Sequence, residues 1–450
     1  MYNFVDKTAA HLAISKKRCV FAKTVTEAHA LLSSVTEAAL DFETTSLSPL
    51  DGDIRLTTIC NDDVHFVIDH MFLGEFVNYI KHFKNKIWWV FNGKFEQKWL
   101  DHNDPTEECN VRDVDFAKKA KMGGAPSKLM WMAKDIGVVM DKTEQASDWS
   151  RPSLTQGQLD YGAFDGHVTW ELKKMWWDQE LNDNHKRGFH VFNDAIRATV
   201  EAEDTGLILD YAYHLKTVTL WKTKQDTFYR AIRKWTPKNV IDNIGSDAQL
   251  GKFLAAELHP DMVKAWPLTK TKRMQIKNSH LRSVARQLPY PMSRWMAAVV
   301  GHRYYAKYLS TYGETLLNKQ AMTGKITSRF NIAQASTGRY SSSSSNLQNI
   351  PRKTVVRRAF HAPPLGDKLM VLADYSGVEI RVLAELSGDK QLLEDVIYGD
   401  VHAASAAQIY GHDYDYMREV LASKGKGGFA NIYPVMKEQR SKAKAFTFQL

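Results

Sequence analysis

Residues 23–100 alternate short apolar runs with stretches of helical pattern, and this alternation limits the possible folds more than any other feature. The segments AALDFETTSL, RLTTIC and HFVIDH are typical of strands. KIWWVFNGKFEQKWL is typical of a strand that runs into a helix after a break at Asn92-Gly93. Strands that alternate with helices indicate an α/β domain. Residues 191–320 have a helical and amphipathic pattern, with little strand character.

Composition places the chain among ordinary globular proteins. Its 450 residues suggest about three domains. Hydrophobic residues make up 44% and charged residues 25%, which excludes disordered, collagen-like and disulfide-scaffold chains. The three cysteines have no metal-ligand spacing, and this favours a reducing compartment without structural zinc. No apolar run is long enough for a signal core or a membrane span, so we expect a cytoplasmic protein.

The net charge of +9 is divided unevenly along the chain. Residues 1–190 carry −5, whereas residues 191–450 carry +14. A basic second part can attract a polyanion such as nucleic acid through its lysines and arginines. A well-solvated, lysine-rich surface has the same composition, so charge alone leaves both interpretations open.

Carboxylates in the first part of the chain occur in three short segments. Asp41 and Glu43 lie two residues apart on a predicted strand, so their side chains point to one face. Glu96 opens a predicted helix, and Asp165 follows Tyr161 by one helical turn. Four carboxylates brought together repel one another, and two Mg²⁺ ions would compensate that repulsion. Any single one of them is more typical of a solvated surface than of a metal site, so the prediction depends on the ordered set.

The ordered set DFETTSL, NGKFEQKWL and YGAFDGHVTWEL resembles the exonuclease motifs of a known family. These are the motifs of the DnaQ-like 3′→5′ proofreading domain carried by family A, polymerase I-like, DNA polymerases. The resemblance implies an RNase H-like fold, metal ligation by Asp41, Glu43 and Asp165, and a water-orienting role for Tyr161. The metals would be two Mg²⁺ ions, with Mn²⁺ as a substitute. Glu96 stands where the family usually has Asp, which leaves the strength of the exonuclease open.

The helical region also resembles family A polymerases. VEAEDTGLILD resembles the helix that enters the thumb, NIGSDAQLGKFL the tip of the thumb, and RYYAKYLSTYGETLL the helix that leads back to the palm. Basic helices with interspersed aromatic residues suit contact with a phosphate backbone. A plain helical bundle has much the same pattern.

The segment STGRYSSSSSNLQNIP resembles the signature loop TGRLSS…NLQNIP of the family. The resemblance implies that Arg339, Gln348 and Asn349 contact the minor groove of primer-template DNA. Acceptors there are common to every correct base pair, so such contacts would sense mismatches without reading sequence. An ordinary polar loop is the alternative interpretation.

LADYSGVEIRVLAELSGD resembles polymerase motif A, and we expect a buried strand that leads into a helix. The resemblance implies that the Asp374 carboxylate and the Tyr375 backbone carbonyl bind the catalytic metals for in-line phosphoryl transfer. It implies that Glu379 excludes a ribose 2′-hydroxyl, although Gly377 replaces the usual Gln. DVHAASAAQIYG resembles a further family segment, which places His402 near the triphosphate.

RSKAKAFTF resembles motif B of the fingers. Arg440, Lys444 and Phe448 are spaced by four and therefore share one helical face. The resemblance implies that the two cations bind the incoming triphosphate and that Phe448 stacks by the base. Phe in place of Tyr implies discrimination against dideoxynucleotides, and the Phe-Thr-Phe form resembles phage replicative polymerases. A partner-binding basic helix is the alternative.

Two further motifs of the family do not occur in the sequence. These are the Tyr-Gly that follows motif B and the palm His-Asp-Glu, whose Asp is the second metal ligand. Asp413 and Asp415 precede motif B and so stand in the wrong order. We therefore expect that the chain alone does not synthesise DNA and that it is the N-terminal subunit of a split polymerase. A truncated reading frame is the alternative explanation.

The resemblance divides the chain into three parts. Residues 1–187 form an α/β exonuclease domain with a mixed sheet, residues 188–320 an α-helical thumb, and residues 321–450 an incomplete α+β palm with the start of the fingers. The expected partners are primer-template DNA, a dNTP and a C-terminal polymerase chain, with a processivity factor as a further candidate. Two other functions stay open: a standalone exonuclease with a polymerase-derived DNA-binding module, and a partner-binding scaffold in which both sites are degenerate.

Overall fold

The computed structural model describes residues 19–106, 108–125, 127–351, 354–363 and 368–447. The chain forms two compact units, one of which ends at Leu369 while the other begins at Met370. The domain boundaries expected near residues 187 and 320 both fall inside the first unit, so the three-part division stays a prediction. In the described ranges, no helix is both long enough and apolar enough to cross a bilayer.

The first unit contains a mixed sheet of six strands in the order β1-β4-β3-β2-β5-β6. The strands are β1 (Val20–Phe21), β2 (Glu37–Thr44), β3 (Ile54–Cys60), β4 (His65–Asp69), β5 (Ile87–Val90) and β6 (Asn110–Asp113). β2 runs antiparallel to β3 and parallel to β5. The pairs β1–β4 and β5–β6 are parallel, and β3–β4 is antiparallel. β2 to β5 coincide with the four segments predicted as strands, so the expected α/β mixed sheet is confirmed.

Helices cover this sheet and close its core. They are α1 (Val25–Ser34), α2 (His70–Leu73), α3 (Lys94–Asn103), α4 (Val114–Met122), α5 (Leu129–Met132) and α6 (Gln156–Lys173), with 3₁₀ segments at Phe76–His82, Ala133–Ile136 and Thr143–Ala146. A π-helical stretch, Lys174–Glu180, continues α6. Large aromatic side chains fill the interior, and Phe83, Trp88 and Trp89 are fully buried. Such residues supply much of the hydrophobic free energy that stabilises the fold.

Glycines let α6 approach the sheet closely. A Cβ atom at Gly166 would lie 2.8 Å from the Cγ2 atom of Thr58, and one at Gly162 would lie 3.1 Å from the Cδ1 atom of Leu56. The Thr58 hydroxyl donates a hydrogen bond of 2.9 Å to the backbone carbonyl of Gly162. A larger residue at either position would push the helix away from β3.

The rest of the first unit is mainly helical, as predicted. Its helices are α7 (Asp183–Asn193), α8 (Ala195–Thr205), α9 (Tyr211–Arg233), α10 (Asp247–Glu257), α11 (Pro260–Lys264), α12 (Asn278–Ala285), α13 (Met292–Tyr312), α14 (Glu314–Thr323) and α15 (Val355–Arg358). The short strands are β7 (Ile208–Leu209), β8 (Arg329–Asn331), β9 (Ser341–Ser343) and β10 (Phe360–His361). β7 pairs with β10, and β8 pairs with β9 in a hairpin. The long helices α9 and α13 pack together around Ile232, Trp295 and their neighbours.

The second unit is a small helical assembly. It contains α16 (Val378–Ser387), α17 (Lys390–Tyr398), α18 (Val401–Tyr410), α19 (Tyr414–Ser423), the 3₁₀ segment Gly427–Phe429, and α20 (Tyr433–Thr447). Met417, Val420 and Met436 are fully buried between α18, α19 and α20.

The buried strand expected in LMVLAD does not form. Residues 368–376 have no regular secondary structure, and the side chains of Leu369 and Leu372 are 93% and 71% exposed. The physical reason is the lack of a neighbour, because the described residues of the second unit contain no strand that could pair with this segment. The helix expected after it does form, and Gly377 precedes it at φ +57°, a conformation that favours glycine.

Replacement of Gly166 by alanine tests the close approach of α6. Because the new Cβ would overlap the buried Thr58, we expect Gly166→Ala to lower the free energy of unfolding by about 1–3 kcal/mol. Gly188 in α7 is the matched control, since a Cβ there would lie 3.9 Å from the Ala120 Cβ atom, an ordinary contact. Gly188→Ala should stabilise the protein by about 0.5–1 kcal/mol through helix propensity. Urea unfolding of both variants gives the measurement, and equal effects would contradict the packing argument.

Candidate active site

Three of the carboxylates singled out in the sequence meet where α6 crosses β2. The carboxylate groups of Asp41, Glu43 and Asp165 each offer an oxygen, and these oxygens lie within 4.8 Å of one another. Asp41 and Glu43 share one face of β2, where they pair with Thr58 and Leu56 of β3. Within the described part of the chain, this is the one group of at least three such side chains that could hold a metal ion.

Glu96 lies beside this group without belonging to it. Because β5 is parallel to β2, the helix α3 that follows β5 starts at the same edge of the sheet as the end of β2. Glu96 stands in the first turn of α3 and is 2% exposed. Burial, and secondly the charge of Asp41, raise the pKa of the Glu96 carboxyl well above its ordinary value. The fourth carboxylate is therefore near the others electrostatically but outside the 4.8 Å group.

Burial and mutual repulsion disfavour the charged forms of the three clustered carboxyls. Burial, followed by the charge of Asp165, raises the pKa of Asp41 to about 7. The pKa of Glu43 is raised well above its ordinary value by burial and by Asp41 and Asp165. Burial also raises the pKa of Asp165, while the ammonium group of Lys142 opposes the rise at all three carboxyls.

Lys142 is a contact of the site that the sequence did not reveal. Its Nζ atom donates to the Asp165 Oδ2 atom at 2.5 Å and to the Tyr161 Oη atom at 2.9 Å. Tyr161 stands one turn before Asp165 on α6, as predicted, and its pKa is raised by burial and by the neighbouring carboxylates. No signal in the sequence marks Lys142, because it lies in an irregular stretch between two motifs.

Asp113 is a second residue that the sequence reasoning missed. It is 3% exposed at the end of β6, where its carboxylate accepts hydrogen bonds from the backbone N–H groups of Gly93 (2.8 Å) and Asp115 (2.9 Å). Burial, followed by Asp115, raises the pKa of Asp113 to about 7. It caps α4 and fixes the chain just before α3, which carries Glu96. An aspartate directly before a helical pattern, as in VRDVDFA, is an N-cap signal that could have identified it.

The donor set of the cluster fits a hard divalent cation. Carboxylate oxygens are the ligands that Mg²⁺ and Mn²⁺ prefer. The Asp165 Oδ1 atom and the Glu96 Oε2 atom are buried and have no hydrogen-bond partner among the described residues. A cation would satisfy such atoms, whereas the folded chain leaves them unpaired. These residues open into a cavity of about 630 Å³ that Lys128 and Arg329 also line.

The loop residues predicted to contact DNA are exposed in the first unit. Arg339, Gln348 and Asn349 lie in and after the β8–β9 hairpin. The Gln348 amide donates to the Tyr340 backbone carbonyl at 3.3 Å, and the Tyr312 hydroxyl donates to the Asn349 carbonyl at 2.7 Å. The loop is therefore tied to α13, while these side chains are accessible to a ligand.

The residues predicted for motif A lie in the second unit. Asp374 and Tyr375 lie in the exposed irregular segment before α16, and Glu379 stands in the first turn of that helix. Asp374 belongs to no group of three metal-binding side chains among the described residues.

His402, Arg440 and Lys444 come together in the second unit, because α18 packs against α20. The Arg440 guanidinium binds both carboxylate oxygens of Asp400, at 2.8 and 3.1 Å. Burial lowers the pKa of His402, and the cations Arg440 and Lys444 lower it further. Phe448 lies outside the described residues.

Comparison with known families now decides the identity of this chain. A sequence model described as "DNA polymerase family A" matches residues 221–450, which is more than half of the chain. The chain belongs to DNA polymerase family A. A second model, described as "3'-5' exonuclease", matches residues 21–179 and so covers the sheet, α3 and α6.

Curated relatives of this family A chain are bacterial enzymes named DNA polymerase I. The protein of Synechocystis sp. is 39% identical over 292 residues, which cover 62% of this chain and 28% of the relative. The protein of Chloroflexus aurantiacus is 39% identical over 177 residues, 38% of this chain and 18% of the relative. The chain therefore matches less than a third of the length of these relatives.

A solved structure supports the fold. The chain is similar to the polymerase domain of Pol1 from M. smegmatis, a structure described as a complex with DNA primer-template and dNTP. The TM-score is 0.62 at 19% identity, and the alignment covers 96% of this chain and 70% of the other. At this identity the likeness concerns the polymerase I-like fold alone.

The pH dependence of stability tests the buried acidic cluster. Because the pKa of Asp41 rises from 3.8 to about 7 on folding, the folded protein keeps a proton that the unfolded chain releases between these values. Stability without metal should therefore fall as the pH rises through this range. In Asp41→Asn this contribution disappears, and the fall between pH 5 and 8 should be smaller by roughly 2–4 kcal/mol.

Urea unfolding in EDTA at several pH values measures this effect. Asp62→Asn is the control, since Asp62 is an exposed carboxylate of the same region and should keep the slope of the unsubstituted protein. Parallel pH profiles for Asp41→Asn and the unsubstituted protein would refute the assignment.

Proposed function

We propose that residues 21–179 are a metal-dependent 3′→5′ exonuclease that removes nucleotides from DNA ends. The observation that carries the proposal is the meeting of Asp41, Glu43 and Asp165 within 4.8 Å, with Tyr161 one turn before Asp165. The match of this region to the exonuclease model supports the same reaction class. DNA is the proposed substrate because the relatives are DNA polymerases.

Asp41, Glu43 and Asp165 would hold the divalent cations, which we propose to be two Mg²⁺ ions, and Glu96 would add a fourth carboxylate nearby. When bound, the cations supply an activated water and stabilise the leaving oxygen. The phenol of Tyr161 orients that water through a hydrogen bond. The clustered carboxylates give the cations strong charge compensation.

The cavity next to the cluster would receive the single-stranded 3′ end. Its carboxylates repel a phosphodiester, so the strand is held by the cations and by the basic groups that line the same cavity. Lys128 and Arg329 are placed to provide this attraction. The exonuclease would therefore depend strongly on salt and on the divalent cation.

Substitution of Asp165 tests the exonuclease. Because Asp165→Asn removes one ligand charge from the cluster, we expect trimming of a 3′-labelled single-stranded oligonucleotide in Mg²⁺ to fall by at least about a hundredfold. Asp62→Asn, which changes an exposed carboxylate, should trim normally. Full trimming by Asp165→Asn would refute the proposal.

We propose that the second unit carries residues of a DNA-synthesising site. Asp374 and the Tyr375 carbonyl would bind the catalytic metals, and Glu379 would select deoxynucleotides. His402, Arg440 and Lys444 would bind the triphosphate of the dNTP, and their assembly on α18 and α20 supports this role. Phe448 would stack by the base. The bond between Arg440 and Asp400 presets the guanidinium at the start of α18.

The primer-template DNA would lie against the loop that carries Arg339, Gln348 and Asn349. Their exposed side chains support minor-groove contact, since no described element covers them. The long basic helices α9 and α13 would follow the phosphate backbone beside this loop, as the thumb of the polymerase.

We further propose that synthesis requires a second polypeptide that completes the fingers and the palm. The supporting observation is the segment 368–376, whose apolar side chains are exposed and whose backbone pairs with no described strand. A strand and a second carboxylate supplied by the partner would cover these side chains and join Asp374 at the metals. The Phe-Thr-Phe sequence of motif B favours a phage-type partner.

A standalone exonuclease with a polymerase-derived DNA-binding module is the second candidate. It is favoured by one contrast among the described residues: the cluster around Asp41 is assembled within the chain, whereas Asp374 has no comparable group. In this case the helical region would hold DNA for trimming only.

Primer extension separates the two candidates. The chain alone should add no nucleotide to a primer, because among the described residues Asp374 belongs to no group of three side chains that could hold a metal ion. Addition of a polypeptide that carries the His-Asp-Glu hairpin should restore extension, and Asp374→Asn should abolish it again. Asp415→Asn, which changes an exposed aspartate of the same unit, is the control. Extension by the chain alone, or none with any such partner, would contradict the split polymerase.

A further inference from the structure

Lys142 is a buried cation in direct contact with the proposed exonuclease site. It directly precedes the 3₁₀ segment Thr143–Ala146, and its side chain is 15% exposed. The ammonium group binds Asp165 Oδ2 at 2.5 Å and Tyr161 Oη at 2.9 Å, and it lies 4.7 Å from the centre of the phenol ring. One side chain therefore holds both groups of α6 that the proposed reaction uses.

The two oxygens of Asp165 have different surroundings. Oδ2 accepts the hydrogen bond from Lys142, whereas Oδ1 is buried and has no partner among the described residues. The lysine thus occupies one oxygen and leaves the other for a cation. The charge of Lys142 also acts on Asp41 and Glu43, because it opposes the rise in pKa that burial causes in both carboxyl groups.

We propose that Lys142 is a positioning residue that sets both the metal affinity of the acidic cluster and the orientation of Tyr161. This rests on the proposed exonuclease function of the same site. The ammonium group supplies positive charge to the cluster and so competes electrostatically with a divalent cation. At the same time it donates to the phenol oxygen of Tyr161, whose own hydroxyl is hydrogen-bonded to Asp165.

Removal of the lysine should therefore have two effects: metal binding should become tighter, and turnover should become slower. Without the ammonium, the cluster carries more uncompensated negative charge, so a divalent cation should bind more tightly. The phenol of Tyr161 loses one of its two partners and keeps the hydrogen bond to Asp165, so its orientation is less fixed and turnover at saturating metal should become slower. A lysine that merely stabilised the fold would not cause tighter metal binding together with slower turnover.

The experiment compares Lys142→Met, Lys142→Arg and Lys118→Met in the full chain. Lys118 is the matched control, because it also pairs with an aspartate, Asp135 at 2.6 Å, but does not line the cavity. Free Mn²⁺ is counted by electron paramagnetic resonance, which reports the Kd for the ion without any substrate. Trimming of a 3′-labelled single strand at saturating Mn²⁺ gives kcat and KM.

We expect Lys142→Met to lower the Kd for Mn²⁺ by at least about tenfold. Its kcat should fall by about tenfold to a hundredfold, with KM within about threefold. Lys142→Arg should stay near the unsubstituted protein in both measurements, since it keeps the charge and donors, and Lys118→Met should leave both unchanged. In a Tyr161→Phe background, Lys142→Met should still tighten Mn²⁺ binding but should lower kcat much less.

Equal or weaker Mn²⁺ binding by Lys142→Met, or an unchanged kcat, would overturn the inference. Circular dichroism checks folding, and Lys142→Gln replaces the methionine variant if that variant unfolds. Failure of the exonuclease proposal has a different signature: the unsubstituted chain would trim no DNA. In that case, tighter Mn²⁺ binding by Lys142→Met than by the unsubstituted chain would still support the competition between the lysine and the cation. Absence of Mn²⁺ binding by Lys142→Met would refute it.

Discussion

The close approach of α6 to the centre of the sheet is the contact on which the exonuclease site depends. Gly162 and Gly166 face β3 with almost no space for a Cβ atom, and Asp165 stands between them in sequence. The approach brings Asp165 against Asp41 and Glu43 of β2. Tight packing is thus used to hold together three groups of like charge, which would separate in a looser fold.

Charge compensation is the second constraint on this site. Lys142 supplies positive charge to carboxyl groups whose pKa is raised by burial. The Asp165 Oδ1 and Glu96 Oε2 atoms are buried and have no hydrogen-bond partner among the described residues. The negative charge of the site is therefore only partly compensated. Because the folded site still lacks positive charge, it suits a reaction in which metal ions bind and dissociate.

In the second unit, only some of the predicted site residues are brought together. Its helices place His402, Arg440 and Lys444 together, whereas the segment with Asp374 is exposed and unpaired. The sequence predicted a strand there because LMVLAD is apolar. An apolar run becomes a buried strand only if neighbouring strands are present to pair with it, and the described residues of this unit provide none.

Local patterns in the sequence determined the strands β2 to β5, the helices α3 and α6, and the family to which the chain belongs. Spacing placed Tyr161 one turn before Asp165, and Asp41 and Glu43 on one face of β2, because the periods of helix and strand are fixed by the backbone. Only the tertiary structure showed that Glu96 stays outside the cluster and that Lys142 and Asp113 support it. Those relations join residues distant in sequence, and no local pattern encodes such a contact.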